Sequence, residues 1–289
     1  MPPVDAEIMT ETAYAKVNLA LHVRERRADG YHALESLFVF ADHGDRLEGE
    51  VTADGRLHLR IDGPFGAGLD TGADNLVIKA AHALQTHVGE LRGATLRLTK
   101  NLPVASGIGG GSADAAASLR LLARLWGISV PMGDMARIAL SLGSDVPACL
   151  SSVTQMVHGR GEILAQHPVE GLANRSMLLV NPGIGLSTAQ VFAGWDRLDR
   201  GPLNVTSLDR LIAEGRNDLE AAARTAAPAI TTVLDSLAQC DGVRLVRMSG
   251  SGATCFALFD AEKAMAAAAR IISATHPQWW VAPTRIRDA

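Results

Sequence analysis

The sequence predicts a two-layer α+β protein of two domains, residues 1–153 and 154–289. Three observations point there. Short runs of alternating polarity come in pairs bounded by turn signals, as paired strands do. Helical spacing interrupts those pairs without the strict strand–helix alternation of a doubly wound parallel sheet. With 289 residues, 47% of them apolar, the chain can bury a substantial core and has room for two ordinary domains.

Residues 15–23 alternate, with Val17, Leu19, Leu21 and Val23 on one face and Lys16, Asn18 and His22 on the other. This reads as a strand with one polar face. Ala28-Asp29-Gly30 is a turn signal and residues 34–41 resume a strand, predicting a hairpin. A second hairpin is predicted over residues 46–61, with Asp54-Gly55 at its tip. From Asn75 the spacing of Leu76, Val77, Ala80, Ala81 and Leu84 is helical, with Asp74 placed to cap and Gly89 to stop. Residues 94–99 are a short strand, 114–126 a helix with a buried face, and 134–142 a helix ending at Gly143. In the second half, residues 176–180 read as an apolar strand. Helices are predicted from Thr188, over 217–224 and over 228–239. Strands at 244–248 and 254–259 flank the turn Ser249-Gly250-Ser251-Gly252, and a helix at 261–272 precedes a strand at 279–282.

Composition narrows the classes. A net charge of −4 argues against a general grip on nucleic acid, which needs a basic surface. Cys149, Cys240 and Cys255 are odd in number, widely separated and without zinc spacing, which fits a reducing compartment. Residues 1–12 carry Asp5, Glu7 and Glu11 and no basic-then-apolar pattern, so no signal peptide is expected. No stretch approaches the roughly 18 apolar residues that span a bilayer. The expectation is a soluble, cytoplasmic protein.

The segment most suggestive of chemistry is Pro103-Val104-Ala105-Ser106-Gly107-Ile108-Gly109-Gly110-Gly111-Ser112-Ala113-Asp114. Glycines let backbone N–H groups approach an anion, and a following helix adds its positive end, so the loop suggests a nucleotide. It is not a Walker A loop, and Ser112 stands where the last glycine of Gly-x-Gly-x-x-Gly would fall. Read without ligand, it is a flexible turn before a buried helix.

Lys16, on the polar face of its strand, is either simply solvated or the fixed cation on which phosphoryl transfer relies. Asp145, in Leu142-Gly143-Ser144-Asp145-Val146-Pro147, is either a turn residue before proline or a carboxylate accepting the proton of an attacking hydroxyl. The residues 250–252 are either a tight turn or a second glycine segment near a phosphorylated ligand. Tyr31 and His32, next to the Asp29-Gly30 turn, are surface decoration or a ring and a two-faced hydrogen bonder suited to a nucleobase. No His-Glu-x-x-His and no Gly-x-Ser-x-Gly occurs, so neither a zinc enzyme nor a serine hydrolase has support.

Taken in order, Ala15-Lys16-Val17-Asn18-Leu19, the loop from Pro103 and Met248-Ser249-Gly250-Ser251-Gly252-Ala253-Thr254 resemble the three motifs of a small-molecule kinase superfamily. It comprises galactokinase, homoserine kinase, mevalonate kinase and phosphomevalonate kinase. Arg27-Ala28-Asp29-Gly30-Tyr31-His32, the Asp145 segment and Gly159-Arg160-Gly161-Glu162 resemble one of its subgroups. The resemblance covers residues 13–260. It implies an N-terminal ribosomal-protein-like α/β domain and a C-terminal ferredoxin-like domain. It implies ATP as phosphoryl donor, magnesium carried on the phosphates with Ser112 as a candidate contact, and a cytidine-diphosphate-linked methylerythritol as acceptor on the non-mevalonate route to isoprenoids.

The resemblance also implies roles. Lys16 and Asp145 are the catalytic pair. Pro103, Val104, Ala105, Ser106, Gly107, Ile108, Gly109, Gly110, Gly111, Ser112 and Ala113 hold the ATP phosphates. Asn75 lies near the adenine and Lys100 contacts bound ligand. Tyr31 and Phe192 sandwich the cytosine, His32 reads its edge, and Asn18 and Thr188 contact substrate. Tyr14 and Ser187 stand where the pattern more often has proline. Two other readings stay open: a kinase of the superfamily acting on a smaller alcohol such as homoserine or mevalonate, and a nucleotide-binding regulator that lost catalysis. Oligomeric state is not legible.

Overall fold

The computed structural model describes residues 8–288; Asp5 and Glu7, part of the start read above as lacking a signal peptide, lie outside the described residues. The chain forms two compact units. One comprises residues 8–14, Gly44–Leu102 and Gly110–Ser151, the other Ala15–His43, Pro103–Gly109 and residues 152–288. The chain therefore passes between the units more than once.

In the first unit the later part of β2 (His32–Thr52) pairs antiparallel with β4 (Gly93–Thr99), Arg46 opposite Thr99 and Thr52 opposite Gly93. β3 (Leu57–Asp62) lies on the other side of β4, parallel to it. The hairpin predicted over 46–61 is corrected here. Asp54 does make the turn, accepting from the Arg56 N–H at 3.0 Å, but β4 lies between the two strands that the turn joins. The long helix α2 (Gly110–Leu125) packs over β2 where Gly49 leaves room: a Cβ at Gly49 would stand 2.8 Å from Leu125 Cδ1. α1 (Leu76–Val88), α3 (Met132–Leu142) and α4 (Val146–Ser151) pack around α2. The cap of α1 is Asn75 rather than the predicted Asp74; its Oδ1 accepts from the Val77 N–H at 2.8 Å. Gly89 closes the helix in the left-handed conformation, as expected from the sequence.

β1 (Met9–Arg26), most of which belongs to the second unit, pairs with β2 beyond a turn in which Gly30, at φ 85°, donates to the Arg27 carbonyl. β2 then pairs with β5 (Gln155–Gly159), and β5 with β6 (Ile163–Gln166). A separate antiparallel sheet has the order β10-β7-β9-β8, formed by β7 (Ser176–Asn181), β8 (Val243–Met248), β9 (Cys255–Phe259) and β10 (Trp280–Arg285). With α8 (Ala229–Ala238) before β8 and α9 (Glu262–Thr275) before β10, this is the ferredoxin-like arrangement. Ile230, Val233 and Leu237 of α8 and Met265, Ala268 and Ile272 of α9 share one core with Leu178, Val180, Ala257 and Phe259 of the sheet. Three shorter helices, α5 (Thr188–Ala193), α6 (Leu208–Glu214) and α7 (Glu220–Ala226), complete the unit. β10 gives the C-terminal segment a place as a sheet edge, with Trp280 opposite Asn181.

Candidate active site

Lys16 and Asn18 lie two residues apart on β1, so their side chains share a face. That face is polar but not solvated: Lys16 is 4% and Asn18 3% exposed. Burying an ammonium requires partners. Lys16 Nζ donates to Asn18 Oδ1 at 2.7 Å and lies 4.6 Å from the centre of the Phe38 ring. The Asn18 amide donates in turn to Ser36 Oγ at 2.9 Å, which fixes its orientation.

The same strand is tied to the glycine loop. The Lys16 N–H donates to the Ile108 carbonyl at 3.0 Å. Gly109, at φ 65°, makes room for the lysine stem, because a Cβ there would stand 3.0 Å from Lys16 Cε. Gly107 has a different reason to be glycine: its Cβ would meet the Ser249 carbonyl oxygen at 2.5 Å. The two glycine segments thus pack on each other. Ser249 Oγ donates to the Gly107 carbonyl at 2.9 Å and accepts from the Asn18 N–H at 3.0 Å. The Thr254 N–H donates to the Ser106 carbonyl at 3.0 Å, and Ser106 Oγ to the Pro103 carbonyl at 2.6 Å. Pro103 and Ile108 are buried, whereas Val104 and Ala105 are exposed.

The helix after the loop begins at Gly110, four residues before the predicted start, so Gly110, Gly111, Ser112 and Ala113 form its first turn. An amphipathic pattern marks only the residues that pack, and two glycines hide the turn before them. The N–H groups of a first turn have no intrahelical acceptor, and this one carries no acidic side chain. Such an end favours an anion.

Lys100, in the first unit with this helix, is buried with its ammonium between two carboxylates, those of Asp45 and, at 2.7 Å, Asp114. Burial opposes its charge, but the two carboxylates outweigh that and raise its pKa. Asn75 is likewise engaged, its amide nitrogen donating to the Asp70 carbonyl at 2.7 Å while its oxygen caps α1. Asp145 is half-buried just before α4 and its carbonyl accepts from the Cys149 N–H at 3.3 Å. Asp145 and Lys16 fall in different units.

Among the candidate base-reading residues, Tyr31 is 59% exposed with the Arg160 guanidinium 5.2 Å from its ring centre. The ring against Phe192 is that of His32, at 4.9 Å and 31°. Trp195, which sequence reasoning missed, meets His32 edge-on at 5.7 Å. Its spacing of three from Phe192 across the end of α5 was the available signal. Burial, and then the charge of Arg26, lower the His32 pKa, so the imidazole is neutral at neutral pH and has one donor and one acceptor nitrogen. Thr188 opens α5, which Ser187 caps, and its hydroxyl hydrogen-bonds Ser251 Oγ at 2.9 Å. Among the described residues no group of three or more His, Cys, Asp or Glu side chains is arranged to hold a metal ion, and no helix is long and apolar enough to cross a membrane.

The fold and this loop define a class of phosphotransferase. Residues 75–152 match the GHMP kinases N terminal domain and residues 203–278 match the GHMP kinases C terminal domain. These stretches lie on either side of residue 153. The fold is shared with homoserine kinase from Cytophaga hutchinsonii, at TM-score 0.73 and 17% identity over 99% of this chain and 98% of that one.

Closer similarity runs to a single group. The protein of Rhizorhabdus wittichii named 4-diphosphocytidyl-2-C-methyl-D-erythritol kinase is 49% identical over 96% of this chain and 94% of its own. Its namesake in Sphingopyxis alaskensis is 48% identical over 96% of this chain and 99% of its own. A crystal structure of 4-(cytidine 5'-diphospho)-2C-methyl-D-erythritol kinase superposes with TM-score 0.81 at 33% identity, covering 96% of this chain and 99% of that one. The chain belongs to the 4-diphosphocytidyl-2-C-methyl-D-erythritol kinase family of the GHMP kinases.

Proposed function

We propose that this chain transfers the γ-phosphoryl group of ATP to the 2-hydroxyl of 4-diphosphocytidyl-2-C-methyl-D-erythritol, in the cytoplasm, on the non-mevalonate route to isoprenoids. The observation that carries this reading is the buried ammonium of Lys16, held by Asn18 and passing the bare backbone of Gly109. A cation buried at the end of a glycine loop is suited to a transferring phosphoryl group.

In this reading Asp145 takes the proton of the attacking hydroxyl, the oxygen forms its bond to the γ-phosphorus, and the bond to the β–γ bridging oxygen breaks to release ADP. Lys16 orients the hydroxyl and offsets the charge that spreads over the transferring group. The segment from Pro103 to Ala113 holds the phosphates, with the first turn of α2 supplying N–H groups. Asn75, at the head of α1, lies beside the adenine. Magnesium, when bound, offsets phosphate charge; it travels on the nucleotide, with Ser112 as the protein hydroxyl nearest in role.

The cytidine end is read by Tyr31, His32 and Phe192, with Asn18 and Thr188 toward the rest of the substrate. A neutral His32 suits cytosine, whose edge presents both a donor and acceptors. The functional domains we assign are residues 1–153 and 154–289, supported by where the two family models fall. The test is ³¹P NMR of the reaction mixture. One new phosphomonoester resonance beside an intact diphosphate is expected, and a substrate spectrum unchanged while ATP is present would refute the assignment.

A further inference from the structure

We propose that Lys100 is a positioning residue that, with Asp45 and Asp114, closes the base of the glycine loop and sets nucleotide affinity without touching the nucleotide. The inference rests on the reading of this loop as the ATP site. Lys100 and Asp114 stand 14 positions apart, and the whole loop lies between them. Asp114 is in the second turn of α2, and Lys100 follows directly on β4. One buried hydrogen bond from the Lys100 ammonium therefore joins the strand that enters the loop to the helix that leaves it. Asp45, from β2, binds the same ammonium and also accepts from the backbone N–H groups of Asn101 and Leu102, at 2.6 and 2.9 Å. The two residues that lead into the loop are thus held by the same cluster.

Three properties separate this cluster from a ligand contact. All three side chains are buried. Two of the three ammonium donors of Lys100 are taken by carboxylates. The cluster has one cation for two carboxylates, and burial, with the charge of Asp45 adding to it, pushes Asp114 up to about 8, so it holds a proton at neutral pH. A buried ionic cluster is a weak source of stability, since well-packed apolar replacements often do as well. What it provides is geometry: Lys100 stands against the start of α2, where a Cβ at Gly110 would lie 3.4 Å from its Nζ, and so fixes the turn whose N–H groups face the phosphates in this proposal.

The test uses the full chain and Mg-ATP binding by calorimetry, with steady-state kinetics beside it. Lys100→Met and Asp114→Leu should each weaken ATP binding by about tenfold, the size of losing one charged hydrogen bond. Because Asp114 acts through its hydrogen bond to Lys100, the double variant should be no weaker than the worse single variant. KM for ATP should rise while kcat at saturating ATP stays within about twofold, a split that general loosening of the fold does not produce. Losses that multiply in the double variant would overturn the proposal and return Lys100 to a direct nucleotide contact. Should Lys100→Met fail to fold, Asp114→Asn carries the test. Its amide oxygen can still accept from Lys100, so it should bind ATP near normally where Asp114→Leu does not, and equal losses in both would overturn the proposal. A wild-type protein that does not bind ATP would instead refute the phosphate-loop reading.

Discussion

The ammonium of Lys16 donates to Oδ1 of Asn18 at 2.7 Å, so the residue two places along the strand fixes where the cation sits. Asn18 is itself fixed by Ser36 and by Ser249, the latter through the Asn18 N–H. On the role proposed for Lys16, Asn18→Ala should lower kcat by roughly tenfold to 10²-fold, the cost of a misplaced catalytic group, with KM for ATP near normal. Steady-state kinetics with ATP and substrate varied separately checks this. A rise in KM for ATP with kcat unchanged would contradict it.

Gly109 limits Lys16 from the other side. A methyl group there would stand 3.0 Å from Lys16 Cε, on a backbone at φ 65° that side chains rarely adopt. Gly109→Ala should cut turnover more than it weakens ATP binding, because the lysine is what must move. Calorimetry and turnover on the same preparation separate the two effects. Loss of ATP affinity with normal turnover at saturation would place the glycine's role on the phosphates instead.

For Asp145, the proton-acceptor role predicts that Asp145→Asn lowers kcat by roughly 10²-fold or more and leaves ATP binding near normal. Unchanged turnover would remove Asp145 from the chemistry.

The Asp45–Lys100–Asp114 cluster makes a prediction about pH. Asp114 is raised from its ordinary value of 3.8 to about 8 by burial and by Asp45, with Lys100 opposing. Its folded form then binds more protons than its unfolded form between those values. Its contribution to stability is fully present below about pH 4 and is lost as pH rises through about 8. Thermal unfolding across that window should show a decline in Tm that is smaller in Asp114→Asn, which has no proton to lose. Parallel declines in both proteins would contradict the assignment.

Much of this architecture was legible in the sequence, and the exceptions have physical reasons. Alternation marked β1, and the αL glycine after α1 marked its end, because both are local signals. Alternation did not tell that the face carrying Lys16 and Asn18 is buried, since a covered polar face and a solvated one have the same pattern. What packs against it, Gly109 at the Lys16 stem and Gly250 beside Asn18 Oδ1, lies far along the chain. The hairpin expected around Asp54 failed for a similar reason: the turn is local, but β4 lies between its strands and arrives later in the sequence. Asp45, Lys100 and Asp114 carry no common spacing, and Trp195 was passed over beside the more telling Phe192.

The most direct measurement is ADP release from Mg-ATP with four acceptors compared: 4-diphosphocytidyl-2-C-methyl-D-erythritol, the same erythritol without its cytidine diphosphate, homoserine and mevalonate. The account predicts turnover with the cytidine compound alone. Turnover with a smaller alcohol, or ATP binding with no turnover on any of the four, would contradict it.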